Sequence, residues 1–497
     1  MAKLIFTCAS KKELPYNWLL SKGYPIITTK GLKTGSQNPK KSSVFFLITG
    51  CGHENAIYSA KLISKIFCPI SVINLGTCGI NNKDGDLKKG DIFFIKETST
   101  EKGRPIKCLY NNLPFPISPK IELNIERLTS VKQPLLKSNN NLFPLIDMEA
   151  GFQHEIFREK EIPFFSLKIS TDHCSSKTPM QYQNMLPYVR ETFKKLLSFL
   201  DKKYFEPKIS VIIPVRNRVV EVKRAITSAL NQTYQPKEVI VIDDASDTPL
   251  KDKLANELLD KIKILRLEKN MGVSFCRNLG IKRAKGDWIA LLDSDDEWKK
   301  EKLKNQINYL KKNPFFEILQ CDEIWIRNGV RVNRCKHHEK KEGFIFKKSL
   351  ELCAISPSAV LFSKELIKHF GYFDINFPVC EDYELWLRIT RQKPVGLNKQ
   401  MDLIKYGGHS DQLSRSFEAI DRFRVVALIK SFEKEKEPYF KKLLAENLKK
   451  RLLILYNGAL KRAKTKTAQI YKDLILAIEK NQDITWQNYQ LLLKKYL

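Results

Sequence analysis

The chain has 497 residues, 43% hydrophobic and 28% charged, with 11 cysteines and a formal net charge of +31. That length exceeds one hydrophobic core, so two domains and an appended helical piece are expected in a folded, not a disordered, chain. No apolar run approaches the roughly 18 residues that span a bilayer, and residues 1–7 enter a strand-like segment with no small-residue cleavage site after it. Neither a signal peptide nor a membrane anchor is therefore expected. The cysteines are odd in number and never spaced CxxC, which argues against a disulfide framework or a zinc site and for a reducing cytoplasm. The positive charge admits nucleic acid or an anionic inner membrane surface as partner. No RNP-like motif, Cys/His finger or arginine-rich arm accompanies it, which counts against nucleic acid. The expected location is the cytoplasm, with peripheral contact at the inner membrane face.

Short apolar β-type runs alternate with helical patterns in both halves, the signature of α/β layering. In the first half, strands are expected at 4–7, 44–49, 72–75, 91–96 and 164–169. A helix over 188–205 leads to Glu206-Pro207-Lys208, where the proline disfavours continuing it and a new β-run begins at Ile209. The expected organisation is two tandem α/β domains, 1–205 and 206–425, followed by a basic amphipathic helical segment, 426–497. In that segment Leu443, Leu444, Leu448, Leu452, Leu455 and Leu460 recur at helical spacing, with lysines on the other face. Such a stripe suits packing as a cap on the preceding domain, or docking on an anionic membrane.

The second half carries the stronger motifs. A buried strand over 209–214 ends in Val215-Arg216-Asn217-Arg218, and another over 238–242 ends in Asp243-Asp244. Parallel strands with polar residues at their carboxyl ends are where an open α/β sheet places its ligand. Then come Asn270-Met271-Gly272, Arg277-Asn278-Leu279-Gly280, and a strand over 288–292 running into Asp293-Ser294-Asp295-Asp296. Carboxylates clustered at a strand end repel one another unless a cation is present. Mg²⁺ or Mn²⁺ suits such oxygen ligands and can bridge to a diphosphate. Downstream stand Gly371-Tyr372-Phe373-Asp374, Glu381-Asp382-Tyr383-Glu384-Leu385-Trp386 and Gly407-Gly408-His409-Ser410.

Together these motifs resemble, across 208–415, the family 2 inverting glycosyltransferases with a GT-A fold. The resemblance implies that Pro214, Arg216, Asp243 and Asp244 line the base-and-ribose pocket, that Arg277 lies near the nucleotide and that Asp293 holds the ribose. Asp295 would ligate the metal and His409 would stand close to it or to the diphosphate. Asp382 would be the general base, taking the acceptor hydroxyl proton as the oxygen attacks C1 from the face opposite the leaving group. The implied partners are a nucleotide-sugar donor, a UDP-sugar in the first instance, and a glycan or lipid-linked acceptor. Arg216 and Arg218 stand where the family usually has Tyr-Asn-type residues, which leaves the nucleobase open.

In the first half, Gly50-Cys51-Gly52 follows one strand, and the glycines of 74–79 read as a turn ending another, where backbone amides can approach a ligand. Asp147-Met148-Glu149-Ala150 and Ser170-Thr171-Asp172 are sharper. With them, residues 3–200 resemble the nucleoside phosphorylase and nucleosidase superfamily, above all the methylthioadenosine/S-adenosylhomocysteine nucleosidases and futalosine hydrolases. The resemblance implies that Gly76, Met148 and Glu149 bind the ribose of a purine nucleoside-type substrate. Asp172 would assist departure of the purine at N7, and Glu13 would activate water. An acid at the base and contacts at the sugar hydroxyls both serve an oxocarbenium-like transition state. No arginine pair is clearly placed for phosphate, which favours water. Phosphorolysis, with Arg104 or nearby lysines, and an inactive nucleoside-binding or dimerising scaffold remain as alternatives.

Overall fold

The computed structural model describes residues 3–480 except 30, 32–41, 68, 82–86, 102, 111, 117–120, 134, 136–141, 176, 202–205, 334 and 409–418. The chain forms two compact units: Met1–Phe205 with Leu310–Phe316, and Glu206–Tyr309 with Glu317–Leu497. Both are α/β.

In the first unit the strands are β1 (Leu4–Cys8), β2 (Ile26–Thr28), β3 (Val44–Ile48), β4 (Ser71–Ile80), β5 (Ile92–Thr100), β6 (Ile106–Lys107), β7 (Asn124–Ser130), β8 (Leu145–Asp147) and β9 (Phe164–Asp172). They make one mixed sheet in the order β2-β3-β1-β4-β8-β7-β5-β6, with β9 pairing both β4 and β5. Its continuous Val, Ile, Leu and Phe runs are buried on both faces, as a largely parallel sheet covered by helices requires.

Two expectations are corrected here. The glycines of 74–79 form no turn, because β4 runs unbroken through Ile80, held by β9 on one side and β8 on the other. A Cβ on Gly76 would meet Lys168 Nζ at 2.9 Å, and one on Gly79 would meet Asp172 Oδ1 at 2.8 Å. These glycines make room for β9 side chains. The helix expected at 188–205 instead spans Thr178–Leu196, with Pro179 in its first turn, where a missing N–H costs nothing, and Pro187 inside it.

In the second unit the strands are β10 (Ile209–Val215), β11 (Glu238–Asp243), β12 (Lys263–Arg266), β13 (Trp288–Leu291), β14 (Glu297–Trp298), β15 (Ile318–Arg327), β16 (Val330–Val332), β17 (Val360–Ser363) and β18 (Gly396–Gly407). The sheet order is β12-β11-β10-β13-β17-β15-β18-β14, with β16 on β15. The four strands from β12 to β13 are parallel, and β17 reverses direction beside β13. Helix Val273–Arg283 lies tight on β10 and β11, since a Cβ on Gly280 would fall 2.5 Å from Ile212 Cγ2. The carboxyl ends of β10, β11 and β13 therefore open on one side of the sheet.

Three helices follow, Asp421–Lys434, Pro438–Lys461 and Thr465–Glu479. Leu444, Leu448, Leu452 and Leu455 are buried, whereas Leu443 is half-buried and Leu460 is exposed. The stripe is thus narrower than its spacing suggests. Arg391 pairs with Glu435 at 2.6 Å, and Lys430 with Asp374 at 2.7 Å and Glu384 at 2.8 Å, which ties the first helix to the body of this unit. Among the described residues no helix is long and apolar enough to cross a membrane.

Candidate active sites

A cavity of about 860 Å³ opens at the carboxyl ends of β10, β11 and β13. Pro214, Arg216, Asp244, Arg277, Asp293, Asp295 and Asp382 all line it. His409 lies outside the described residues. Asp243 points away into the protein: its carboxylate accepts from Ser246 N at 2.9 Å, Leu250 N at 3.2 Å and Arg266 Nη1 at 2.6 Å. Arg266 is its direct partner on β12, and Asp243, with no exposed surface, is an anchor for the loop after β11. Asp244 takes the N–H groups of Met271 (2.7 Å) and Gly272 (2.9 Å), fixing the entry to helix Val273–Arg283. Gly272 has φ +84°, a conformation that glycine alone adopts freely.

Buried Arg277 bridges the walls of the cavity. Its Nη2 donates to Asp293 Oδ1 at 2.7 Å and its Nη1 to Glu381 Oε1. Burial works against its charge, but Asp293 and Glu381 outweigh that and hold its pKa above the ordinary value. Burial pushes the Glu381 carboxyl up to about 7, the Asp382 charge pushes the same way, and Arg277 opposes both. Glu381 and Asp382 open helix Glu381–Thr390, where acidic groups are stabilised by the exposed N–H ends. Cys380, just before it, sits at φ +62°, strain of the kind that collects at functional sites. Asp382 Oδ1 accepts from Tyr383 N at 2.7 Å, and its Oδ2 from the Cys353 thiol at 3.1 Å. Burial, then the Asp382 charge, pushes that thiol well above its usual pKa, so it stays a donor.

At the end of β13, Asp295 Oδ2 pairs with Arg218 Nη1 at 2.7 Å. Asp296 is buried and accepts from Tyr406 N at 3.2 Å, but among the described residues its Oδ2 has no hydrogen-bond partner. Burial, and next the neighbouring Asp295 charge, raises the Asp296 carboxyl well above its ordinary pKa. Among the described residues no cluster of three or more His, Cys, Asp or Glu is arranged to hold a metal alone. The donor chemistry still fits Mg²⁺ or Mn²⁺, which typically take one or two carboxylates and complete their shell with substrate phosphates.

The sequence reading gave no site role to Arg218 and missed Cys353, Lys405 and Arg424, which also line the cavity. Arg218 shares its polar turn with Arg216, and the sequence marks it only as a departure from the family pattern. The other three sit in stretches with no local signal.

In the first unit, Glu13 and Glu149 converge with groups from four strands. Glu13 Oε1 accepts from Thr77 Oγ1 at 2.9 Å and Tyr182 OH at 3.4 Å, and its Oε2 from the Cys8 thiol at 3.1 Å. Glu149 Oε1 accepts from Gly52 N at 3.0 Å. Met148 Cε lies 3.9 Å from where a Gly52 Cβ would stand, so Met148 and Gly52 are neighbours. Burial, then the Asp147 charge, raises Glu149 to about 7, against the pull of Lys168. Lys168 Nζ, buried under Gly76, pairs with Asp147 Oδ2 at 2.7 Å. Asp172 is turned to its own loop: Oδ1 accepts from Cys174 N (3.0 Å) and Thr178 Oγ1 (2.9 Å), and Oδ2 from Thr171 Oγ1 (3.0 Å). Lys168, Tyr182, Thr77 and Cys8 were not foreseen, since each looks like an ordinary strand or helix residue.

The family model for glycosyl transferase family 2 matches residues 210–371. The UDP-Glc:alpha-D-GlcNAc-diphosphoundecaprenol beta-1,3-glucosyltransferase WfgD of Escherichia coli is 33% identical over 187 residues, 38% of this chain and 71% of that protein. The chain belongs to glycosyl transferase family 2. An uncharacterized glycosyltransferase of Rickettsia conorii is 30% identical over 266 residues, 52% of this chain, but the match spans only 42% of that protein's length. Two solved structures are similar at a lower level. S. aureus TarS 1-349 in complex with UDP-GlcNAc has a TM-score of 0.39 and 17% identity, over 56% of this chain and 93% of that one. A 5'-methylthioadenosine/S-adenosylhomocysteine nucleosidase from Helicobacter pylori has a TM-score of 0.32 and 15% identity, over 40% and 97%. Apart from 310–316, the matched family residues lie in the second unit, and they include the ends of β10, β11 and β13.

Proposed function

We propose that the second unit transfers a sugar from a nucleotide-sugar donor, a UDP-sugar first, to a glycan or lipid-linked acceptor with inversion at C1. The observation that carries this reading is one cavity lined by Asp244 and Asp293 at the strand ends and by Asp382 in the first turn of helix Glu381–Thr390. Asp293, fixed by Arg277 and by the Ser358 hydroxyl on its backbone N–H (3.0 Å), is the ribose contact. Asp382 Oδ2 takes the acceptor hydroxyl proton as the acceptor oxygen bonds to C1, and the C1–oxygen bond to the diphosphate breaks on the opposite face. Mg²⁺ or Mn²⁺ held by Asp295, with His409, would neutralise charge on the departing diphosphate. Arg218 keeps the Asp295 carboxylate in place. The test is release of UDP from UDP-glucose and UDP-N-acetylglucosamine with a short-chain lipid diphospho-N-acetylglucosamine as acceptor. Asp382→Asn is expected to lower kcat by about 10²–10⁴, the usual worth of a general base. An unchanged kcat removes Asp382 from the mechanism.

For the first unit we propose hydrolysis of a purine nucleoside-type N-glycosidic bond, with Glu13 activating water and Glu149 on the ribose. Support comes from the meeting of Glu13, Thr77, Tyr182 and Cys8 on one side of β4. An inactive scaffold is the second reading, favoured by one observation: both oxygens of Asp172 are engaged within its own loop. Incubation with methylthioadenosine, S-adenosylhomocysteine, inosine and futalosine, with and without phosphate, decides between them. Base released without phosphate and lost in Asp172→Asn supports hydrolysis, while no release from any substrate leaves the scaffold.

A further inference from the structure

The second unit's cavity carries a cation that, among the described residues, shares its carboxylate partner with a second guanidinium. Arg424, in helix Asp421–Lys434, lines the cavity together with Cys380, Asp382 and Ile420. Its Nη1 donates to Asp421 Oδ1 at 3.0 Å, but that same oxygen also accepts from Arg451 Nη1 at 2.8 Å. Two guanidinium groups thus share one carboxylate. Of the described acids nearby, Glu381 is committed to Arg277, and Asp382 to the Cys353 thiol and Tyr383 N–H. Among the described residues Arg424 Nε is buried without a hydrogen-bond partner. A guanidinium in this state calls for an anionic oxygen, and its planar fork fits phosphate or carboxylate.

We infer that Arg424 forms an anion-recognising subsite on the acceptor side, and that the acceptor carries a phosphate close to the hydroxyl it donates. The inference rests on the transferase reading of this cavity. The strand ends, with Asp244 and Asp293, are the donor side, and Arg424 comes from a helix that packs on the helix opened by Glu381 and the base Asp382. A phosphate there would hold the acceptor against repulsion from the Asp382 carboxylate. Helix Asp421–Lys434 then supplies a substrate contact, beyond covering apolar surface.

The test is calorimetric binding to the full chain with UDP present, using three probes: a short-chain alkyl diphosphate-linked N-acetylglucosamine, N-acetylglucosamine 1-phosphate, and a neutral alkyl N-acetylglucosaminide. The phosphate-bearing probes are expected to bind about 10- to 100-fold more tightly than the neutral one, the usual scale of a charge-assisted contact. Arg424→Gln is expected to erase that preference, and Arg424→Lys to restore part of it in an intact fold. Equal binding of the two phosphate probes identifies phosphate itself as the ligand. Binding of the alkyl diphosphate alone, lost in Arg424→Gln, supports a lipid-linked source. Equal binding of the neutral probe, or an undiminished preference in Arg424→Gln, overturns the subsite. So does a loss of UDP affinity in Arg424→Gln that Arg424→Lys restores, since it moves Arg424 to the donor side. Binding is read without turnover, so absence of transfer in every arm counts against the transferase reading, not against the subsite.

Discussion

A carboxylate acts as a base only if a lone pair faces the proton it must take. In this chain both candidate bases are oriented by a thiol: Cys353 donates to Asp382 Oδ2, and Cys8 to Glu13 Oε2, each at 3.1 Å. Burial drives both thiols well above their usual pKa, so neither competes as an anion. Hydrogen bonds to charged groups are worth roughly 1.5–3 kcal/mol, and the weaker S–H donor belongs at the low end. Cys353→Ala is therefore expected to lower transferase kcat about tenfold with KM little changed, while Cys353→Ser, which keeps a donor, recovers most of the rate. Initial rates with both substrates varied measure the split, and an alanine variant as fast as the wild type would show the contact to be incidental. The buried pair of Lys168 and Asp147 makes a second case. Lys168→Met leaves Asp147 charged and unpaired, and about 3–5 kcal/mol of stability is expected to go with it. Urea unfolding checks this, and the double variant Lys168→Met/Asp147→Asn should regain a large part.

Among the elements, the C-terminal helices separate a core stripe from an exposed one. Leu448 and Leu452 have no exposed surface, whereas Leu460 is 46% exposed. Leu448→Ala is expected to cost about 2–5 kcal/mol by the cavity it leaves, and Leu460→Ala a few tenths. Equal effects in urea unfolding would mean that the stripe does not pack as described. Such contrasts mark what was legible in the sequence. β10, β11 and β13 were readable because each is a short apolar run closed by polar residues, so the cavity's donor wall followed. The role of Asp243 was not, because the residue that claims it, Arg266, arrives through strand register from 23 positions away. Gly76 and Gly79 looked like turn residues, since a strand that must clear a neighbour's Lys168 and Asp172 uses the same residue type as a turn. Arg424 had no local signal at all: its meaning comes from a helix folding back beside Glu381 and Asp382.

Across the whole molecule, the two units are expected to answer pH with opposite sign. In the first, burial and Asp147 raise Glu149 to about 7, from roughly 4.3 in the unfolded chain. The folded unit therefore binds a proton more tightly than the unfolded one. The stabilisation linked to that proton is complete below about pH 4.3 and is lost as pH rises through 7, on the order of 4 kcal/mol in all. In the second unit Glu323 lies the other way. Burial opposes its charge, but Lys340, at 2.8 Å, and Lys405 bring its pKa down to about 2. Its contribution is present above about pH 4.3 and is lost as pH falls through 2. Urea unfolding from pH 3 to 8 should thus show Glu149→Gln flattening the decline between pH 4.5 and 8, and Glu323→Gln flattening the acid limb. If Glu149→Gln keeps the wild-type decline above pH 5, Glu149 is ionised in the folded chain at neutral pH. A ribose hydroxyl would then meet a full carboxylate there, a stronger acceptor than the half-protonated group described here.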